Sequence, residues 1–147
     1  MCVTFLKYHG LGNDYLVYDC TQNNMKLSPE NIQMICSTNF GLAADGILIG
    51  PIMKEDKMHV QVLNPDGSEA KNSGDGVCIF AKYLQSTGLI KEDKFCLYTP
   101  GEAAFLCYNS DTASAEENCG KAPTAEVRSV GKLILTDEFI RDNRIGA

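Results

Sequence analysis

The segment beginning at Gly74 restricts the fold of this chain more than any other. It reads GDGVCIFAKYLQSTG, with Val77, Phe80, Ala81 and Leu84 at helical spacing, and Ile79 and Tyr83 widen the stripe until little polar face remains. A helix apolar around most of its circumference needs neighbours on most sides. The pattern therefore predicts a helix enclosed by other structure and closed by Gly88.

Strand-like segments are available to enclose it. Val3 to Tyr8 and Tyr15 to Cys20 are rich in Val, Phe, Leu and Tyr, and the intervening HGLGND has the glycines and Asx residues of a turn. Ser28-Pro29-Glu30 reads as a helix start, with Ser28 as N-cap and Pro29 in the first turn; Ile32, Ile35 and Cys36 form its apolar stripe, and Gly41 is the expected stop. Gly46 to Gly50 and Met58 to Leu63 are two further strands, and Pro65-Asp66-Gly67 is the turn that ends the second. Phe95 to Tyr98 and Ala103 to Tyr108 form another pair around Pro100-Gly101. Residues 109–121 are polar and loop-like, Val127 to Leu135 is again a strand, and Thr136-Asp137-Glu138 starts a last short helix.

Composition narrows the function classes. At 147 residues the chain has the length of one ordinary domain, long enough to bury a core without disulfide or metal support. Its net charge of −6 and its unclustered Lys and Arg leave no footprint for nucleic acid. The N-terminus MCVTFLKYHG lacks a signal pattern, and no apolar run approaches the roughly 20 residues of a membrane span, so a cytoplasmic protein without a membrane partner is expected. Seven cysteines, an odd number with no CxxC pair and only two histidines beside them, point to reduced, buried thiols and to neither a disulfide framework nor a metal site.

Chemistry concentrates in NPDGSEAKNSGDG, residues 64–76. The first turn of an enclosed helix offers unpaired backbone N–H groups and the positive end of the helix dipole, and Gly74 and Gly76 let another molecule approach the backbone; such a place suits a carboxylate or phosphate. No Gly-Lys-Ser/Thr follows the glycines, so this is not a Walker loop, and the spacing does not fit a dinucleotide fingerprint. Taken singly, Ser73 also reads as an N-cap, Asp75 as a first-turn acid, and Asn13, Asp14 and Asn64 as turn residues.

Three motifs taken together resemble one family. HGLGNDY at 9–15, GLAADGILI at 41–49 and NPDGSEAKNSGDGVCIFAKYL at 64–84 are similar, in order and spacing, to the first half of diaminopimelate epimerases, which are cofactor-independent amino-acid epimerases. The resemblance implies an α+β fold, with a mixed curled sheet around a central buried helix in each of two lobes and the substrate between them. It divides the chain into an N-terminal lobe at residues 1–108 and the incomplete start of a second lobe at 109–147. It implies stereoinversion at an α-carbon by two thiols on opposite faces, LL- to meso-diaminopimelate on a route to lysine and peptidoglycan precursors, with an amino-acid substrate and no cofactor. Asn13 and Asn64 match substrate hydrogen-bonding positions, Gly74 and Asp75 match the pair whose backbone cradles the carboxylate, and Ser73 falls where the family has its first catalytic cysteine.

The chain departs from that pattern in three ways. A hydroxyl at Ser73 is a far weaker acid than a thiol. The family's Gly-Asn-Gly is here Gly74-Asp75-Gly76, which sets a carboxylate beside the expected anion site, and Cys78 reads as a core residue rather than a substitute thiol. The second lobe's Gly-Asn-Pro-His, Glu-Arg and Gly-Thr-Gly motifs are missing, so the chain alone is expected to be inactive. The other expectation is a silent homologue acting as a small-molecule binding or interaction module. Val127, Val130, Leu133, Ile134, Leu135, Phe139 and Ile140 form an apolar tail, from which a homo-oligomer is expected.

Overall fold

The computed structural model describes residues 3–10, 12–37, 43–70, 74–91, 94–100, 104–108 and 128–142. In chain order these form β1 (Val3–Gly10), β2 (Asn13–Asp19), α1 (Pro29–Cys36), β3 (Gly46–Lys54), β4 (Lys57–Leu63), α2 (Gly74–Thr87), β5 (Lys94–Tyr98), β6 (Ala104–Tyr108), β7 (Arg128–Leu135) and α3 (Asp137–Asp142). The strands make one sheet in the order β6-β5-β4-β3-β2-β1-β7. Two neighbour pairs, β2 with β3 and β4 with β5, are parallel. Parallel neighbours cannot be joined by a tight turn, and α1 and α2 are the two crossovers.

Strand alternation sends successive side chains to opposite faces, and each face has its own helix. Leu16 and Tyr18 of β2, Ile47 of β3 and Leu63 of β4 pack with Ile32 and Ile35 of α1. Val17, Leu48, Val60 and Val62 point the other way and pack with Val77, Phe80, Tyr83 and Leu84 of α2. The expected α+β class with a curled mixed sheet holds. The reason for the curl lies in α2, which lies against β1, β2, β4 and β6. Five strand spacings separate β6 from β1, about 24 Å in a flat sheet, and a helix about 10 Å across touches both only if the sheet bends around it.

Burial along α2 agrees. The six consecutive residues Gly76 to Ala81 are all buried, more than a full circuit of the helix. The helix is tied off at Gly88, whose N–H donates to the Gln85 carbonyl at 3.2 Å, while the Ile90 N–H donates to the Leu84 carbonyl at 3.3 Å. By contrast α1 buries one stripe, Asn31, Ile32, Ile35 and Cys36. Its start is a reciprocal cap: the Asn31 N–H donates to Ser28 Oγ at 3.1 Å and the Ser28 N–H to Asn31 Oδ1 at 3.2 Å. It ends at Cys36, short of the expected Gly41, because the Ser37 hydroxyl and N–H both turn back to the Met34 carbonyl.

Three expectations change. The strand expected to end at Gly50 runs on to Lys54 and meets β4 through the two-residue turn Glu55-Asp56, with φ of 50° and 64°. Both residues are left-handed, as a type I′ hairpin turn requires, but the sequence lacks the Asn-Gly signal that usually marks one. The tail is also less exposed than expected. Leu135 is buried and Leu133, Phe139 and Ile140 pack against the α1-side core; among the described residues of the tail only Val130 and Ile134 are exposed large apolar ones, while Val127 lies outside the described residues. Among the cysteines, Cys36 and Cys78 are buried as expected, but Cys20 is half-buried and Cys96 exposed.

Candidate functional site

The crossover topology sets the site. Because α2 leaves the end of β4 and returns to a strand parallel with it, its N-terminus stands over the end of the sheet where β4 finishes. Tyr15 pairs with Gly46 and Ile47 pairs with Leu63, so β2 and β3 begin at that same end. Asn13, the first residue of β2, and Asn64, one residue past β4, are thereby brought to one rim with Gly74 and Asp75. Ser73 lies outside the described residues.

Alternation decides which rim side chain faces α2. Asn13 shares a face with Tyr15 and Val17, and its Nδ2 donates to Asp75 Oδ2 at 3.1 Å. This bond ties the tip of the first hairpin to the first turn of the buried helix, across 62 positions of sequence. Asp75 is half-exposed and sits where the positive end of the helix dipole favours a carboxylate.

The next residue serves another purpose. The Asp14 N–H donates to Asp45 Oδ2 at 2.8 Å and the Asp45 N–H to the Asp14 carbonyl at 2.7 Å, which locks the start of β2 to the residue just before β3. His9 Nδ1 donates to Asp14 Oδ1 at 2.7 Å, with Lys7 Nζ 4.0 Å from Oδ2. Sequence reasoning read Asp14 only as a turn residue and gave no individual role to His9 or Asp45, although all three lie within the quoted motifs. Gly46, also in a motif, is there because nothing larger fits: a Cβ on it would stand 2.4 Å from the Leu63 carbonyl oxygen and 2.8 Å from the Tyr15 ring.

Asn64 is engaged in its own turn. Its Nδ2 donates to Ser68 Oγ at 3.0 Å and its N–H to the Ser68 carbonyl at 2.7 Å. Asp66 Oδ1 accepts both the Ser68 hydroxyl, at 2.6 Å, and the Ser68 N–H, at 2.9 Å, which hold its carboxyl below the ordinary carboxylate range. Gly67 turns with φ of 89° directly against α1, where a Cβ would meet Pro29 Cα at 2.6 Å. The NPDG turn is thus a fixed support, docked on one helix and leading into the other.

In general, backbone N–H groups at the start of a helix can hold an anion. The family model for diaminopimelate epimerase matches residues 5–125. The chain belongs to the diaminopimelate epimerase family. It is 47% identical over 141 residues to Diaminopimelate epimerase 2 of Nostoc sp., covering 95% of this chain and 47% of that protein. It is 36% identical over 94 residues to the diaminopimelate epimerase of Leptospira biflexa, covering 64% of this chain and 34% of that protein. The chain thus spans about half the length, or less, of these curated relatives. Its fold is similar to methylitaconate-delta-isomerase, with a TM-score of 0.61 at 10% identity, covering 91% of this chain and 41% of that one. It is also similar to a phenazine biosynthesis protein of the PhzF family from Enterococcus faecalis, with a TM-score of 0.57 at 13% identity, covering 76% and 42%.

Cys78, near the start of α2, is 1% exposed in the core and is no substitute thiol at the rim. Among the described residues no group of three or more His, Cys, Asp or Glu side chains is arranged to hold a metal ion. No described helix is long and apolar enough to cross a membrane.

Proposed function

We propose that this chain forms one half of an active site for stereoinversion at the α-carbon of an amino acid, with LL-diaminopimelate as the substrate its family suggests. The observation that carries this reading is the Asn13–Asp75 hydrogen bond, which joins two of the family's motifs at the mouth of an enclosed helix. In the reaction the α-carboxylate of the substrate rests on the N–H groups opening α2, with Asn13 and Asn64 as hydrogen-bonding partners. The family resemblance assigns to position 73 the group that takes the α-proton. An α-proton is weakly acidic, so its removal calls for a desolvated base next to a stabilising dipole, and a serine hydroxyl is a poor one. The opposite face needs a second acid that these motifs do not supply, so the chain by itself does not turn over. A cytoplasmic amino-acid pathway, lysine biosynthesis included, is the setting this reading implies.

The test is α-proton exchange into deuterated water, followed by NMR with LL-diaminopimelate. A single base washes in deuterium from one face without a second half-site. The expected result is no exchange with the chain as it stands and measurable exchange with Ser73→Cys. Silence in both overturns the catalytic reading. The pairing of Asp75 with Asn13 also favours a second reading, a silent binding module, because the side chains at the mouth satisfy each other. Under it, both proteins bind the amino acid and neither exchanges the proton.

We propose in addition that β7 joins a second copy of the chain. Among the described residues β7 pairs only with β1, and Val130 and Ile134, 47% and 48% exposed, stand on one face of this edge strand. A second copy carries the same edge strand and the same two apolar side chains, so the two edges match each other. Light scattering should give a dimer that Ile134→Lys converts to monomer; a monomer at high concentration before mutation overturns the proposal.

A further inference from the structure

The end of α2 farthest from the rim closes over a cavity of about 310 Å3 between the helix and strands β1, β2 and β7. Asp19, Tyr83, Thr87 and Lys132 are among its walls. Asp19 is 4% exposed and Tyr83 is 2% exposed, so this is a charged group inside the protein. The Asp19 carboxylate is held by neutral donors: the Thr21 N–H at 2.8 Å and the Thr21 hydroxyl at 2.6 Å on Oδ1, and the Tyr83 hydroxyl on Oδ2. These use three of about four acceptor positions. Burial, together with the hydroxyl's bond to Asp19, raises the Tyr83 pKa, so it stays a donor.

None of these donors on Asp19 is a cation. The ion pairs of Lys7 and His9 with Asp14 lie at the other end of the sheet. The last turn of α2 contains no basic residue, and the carbonyl end of a helix adds its own negative potential to that of Asp19. A buried carboxylate without a counter-charge is costly, and an ammonium group in the cavity would relieve that cost.

Lys132 provides the complement. It projects from β7 opposite Leu6 of β1, on the α2 side of the sheet, and reaches the same cavity without an ion pair to Asp19 or any other described residue. One wall is therefore anionic, another cationic, and the two do not neutralise each other. The volume is that of a small ligand pocket. We infer that the cavity between the C-terminal end of α2 and β7 binds a small zwitterionic amino acid, its ammonium on Asp19 and its carboxylate on Lys132. The site lies at the opposite end of α2 from the proposed catalytic rim and does not depend on that reading.

Amide-resolved NMR titration of the whole chain separates the two ends. L-Alanine and 5-aminopentanoate, which differ in the spacing of their charges, are the probes, with acetate and methylammonium as single-charge controls. At least one zwitterion should shift the amides of Thr21, Thr87 and Lys132 at concentrations where neither control does. Lys132→Met, at an exposed position of an edge strand, should weaken that response at least tenfold, and Asp19→Asn should abolish it. Shifts confined to Asn13 and Asp75, equal shifts with acetate or methylammonium, or a response indifferent to Lys132→Met would each overturn the inference.

Discussion

At its first turn α2 presents Asp75, half-exposed and bonded to the Asn13 amide, whereas about two turns on it presents Tyr83, buried and bonded to a buried carboxylate. One helix therefore has a half-exposed polar contact at one end and a buried one at the other. The difference follows from the curl of the sheet. The strands wrap the middle of α2, so Gly76 to Ala81 with Tyr83 and Leu84 are interior, while its N-terminus emerges where β2 and β3 begin and β4 ends. A hydrogen bond open to water is exchangeable, whereas a buried one is costly to break.

The largest effect should come from the wrapped middle of the helix. Phe80→Ala, at a position with no exposure, is expected to cost about 3–5 kcal/mol in urea unfolding, because the surrounding strands cannot collapse into the void. A loss near 1 kcal/mol would show that the sheet is not closed around α2. Next in size is Tyr83→Phe, which leaves Oδ2 of Asp19 without its hydroxyl donor and should cost about 2–3 kcal/mol. At the rim, Asn13→Ala should cost under about 1 kcal/mol in the same experiment, since water can take the place of the amide on Asp75. If the two ends respond equally, the contrast between them fails.

Alkali distinguishes the interior in another way. Burial, aided by the Asp45 charge, pushes the Cys36 thiol up to about 11, and burial likewise raises Tyr83. Between the unfolded and folded pKa values the native state holds more protons than the unfolded chain, so stability declines as pH rises. For Cys36 this contribution is complete below about pH 9 and lost by about pH 11. Cys36→Ala should flatten the lower part of that decline and Tyr83→Phe the upper part; unchanged slopes in chemical denaturation would contradict both assignments. The smallest effect is a gain. Replacing Glu55-Asp56 by Asn-Gly removes two left-handed non-glycine residues and should stabilise the chain by about 1 kcal/mol. A loss would mean that the acidic turn makes contacts worth more than its backbone strain.

Much of the strand and helix order was legible because it rests on local signals: alternation in Val60 and Val62, the Ser28-Pro29 cap, and the all-round apolar stripe that foretold an enclosed α2. The hairpin at Glu55-Asp56 was not legible, since its conformation is imposed by the pairing of Lys54 with Lys57 rather than preferred by the turn residues. At the rim, sequence singled out Asn13, Asn64, Gly74 and Asp75 but not the bond between Asn13 and Asp75. Nor could it show that Asn64 is satisfied within its own turn.

What the sequence determined by itself is which segments are strands, which helix must be surrounded, and the family to which the motifs at 9–15, 41–49 and 64–84 point. What only the tertiary structure decided is the partnership of groups far apart in the chain: Asn13 with Asp75 at one end of α2, and Asp19 with Tyr83 at the other. The physical reason is range. Periodicity and caps act within a few residues, whereas the register of parallel strands, set by two crossover helices, fixes which polar groups meet across about sixty positions.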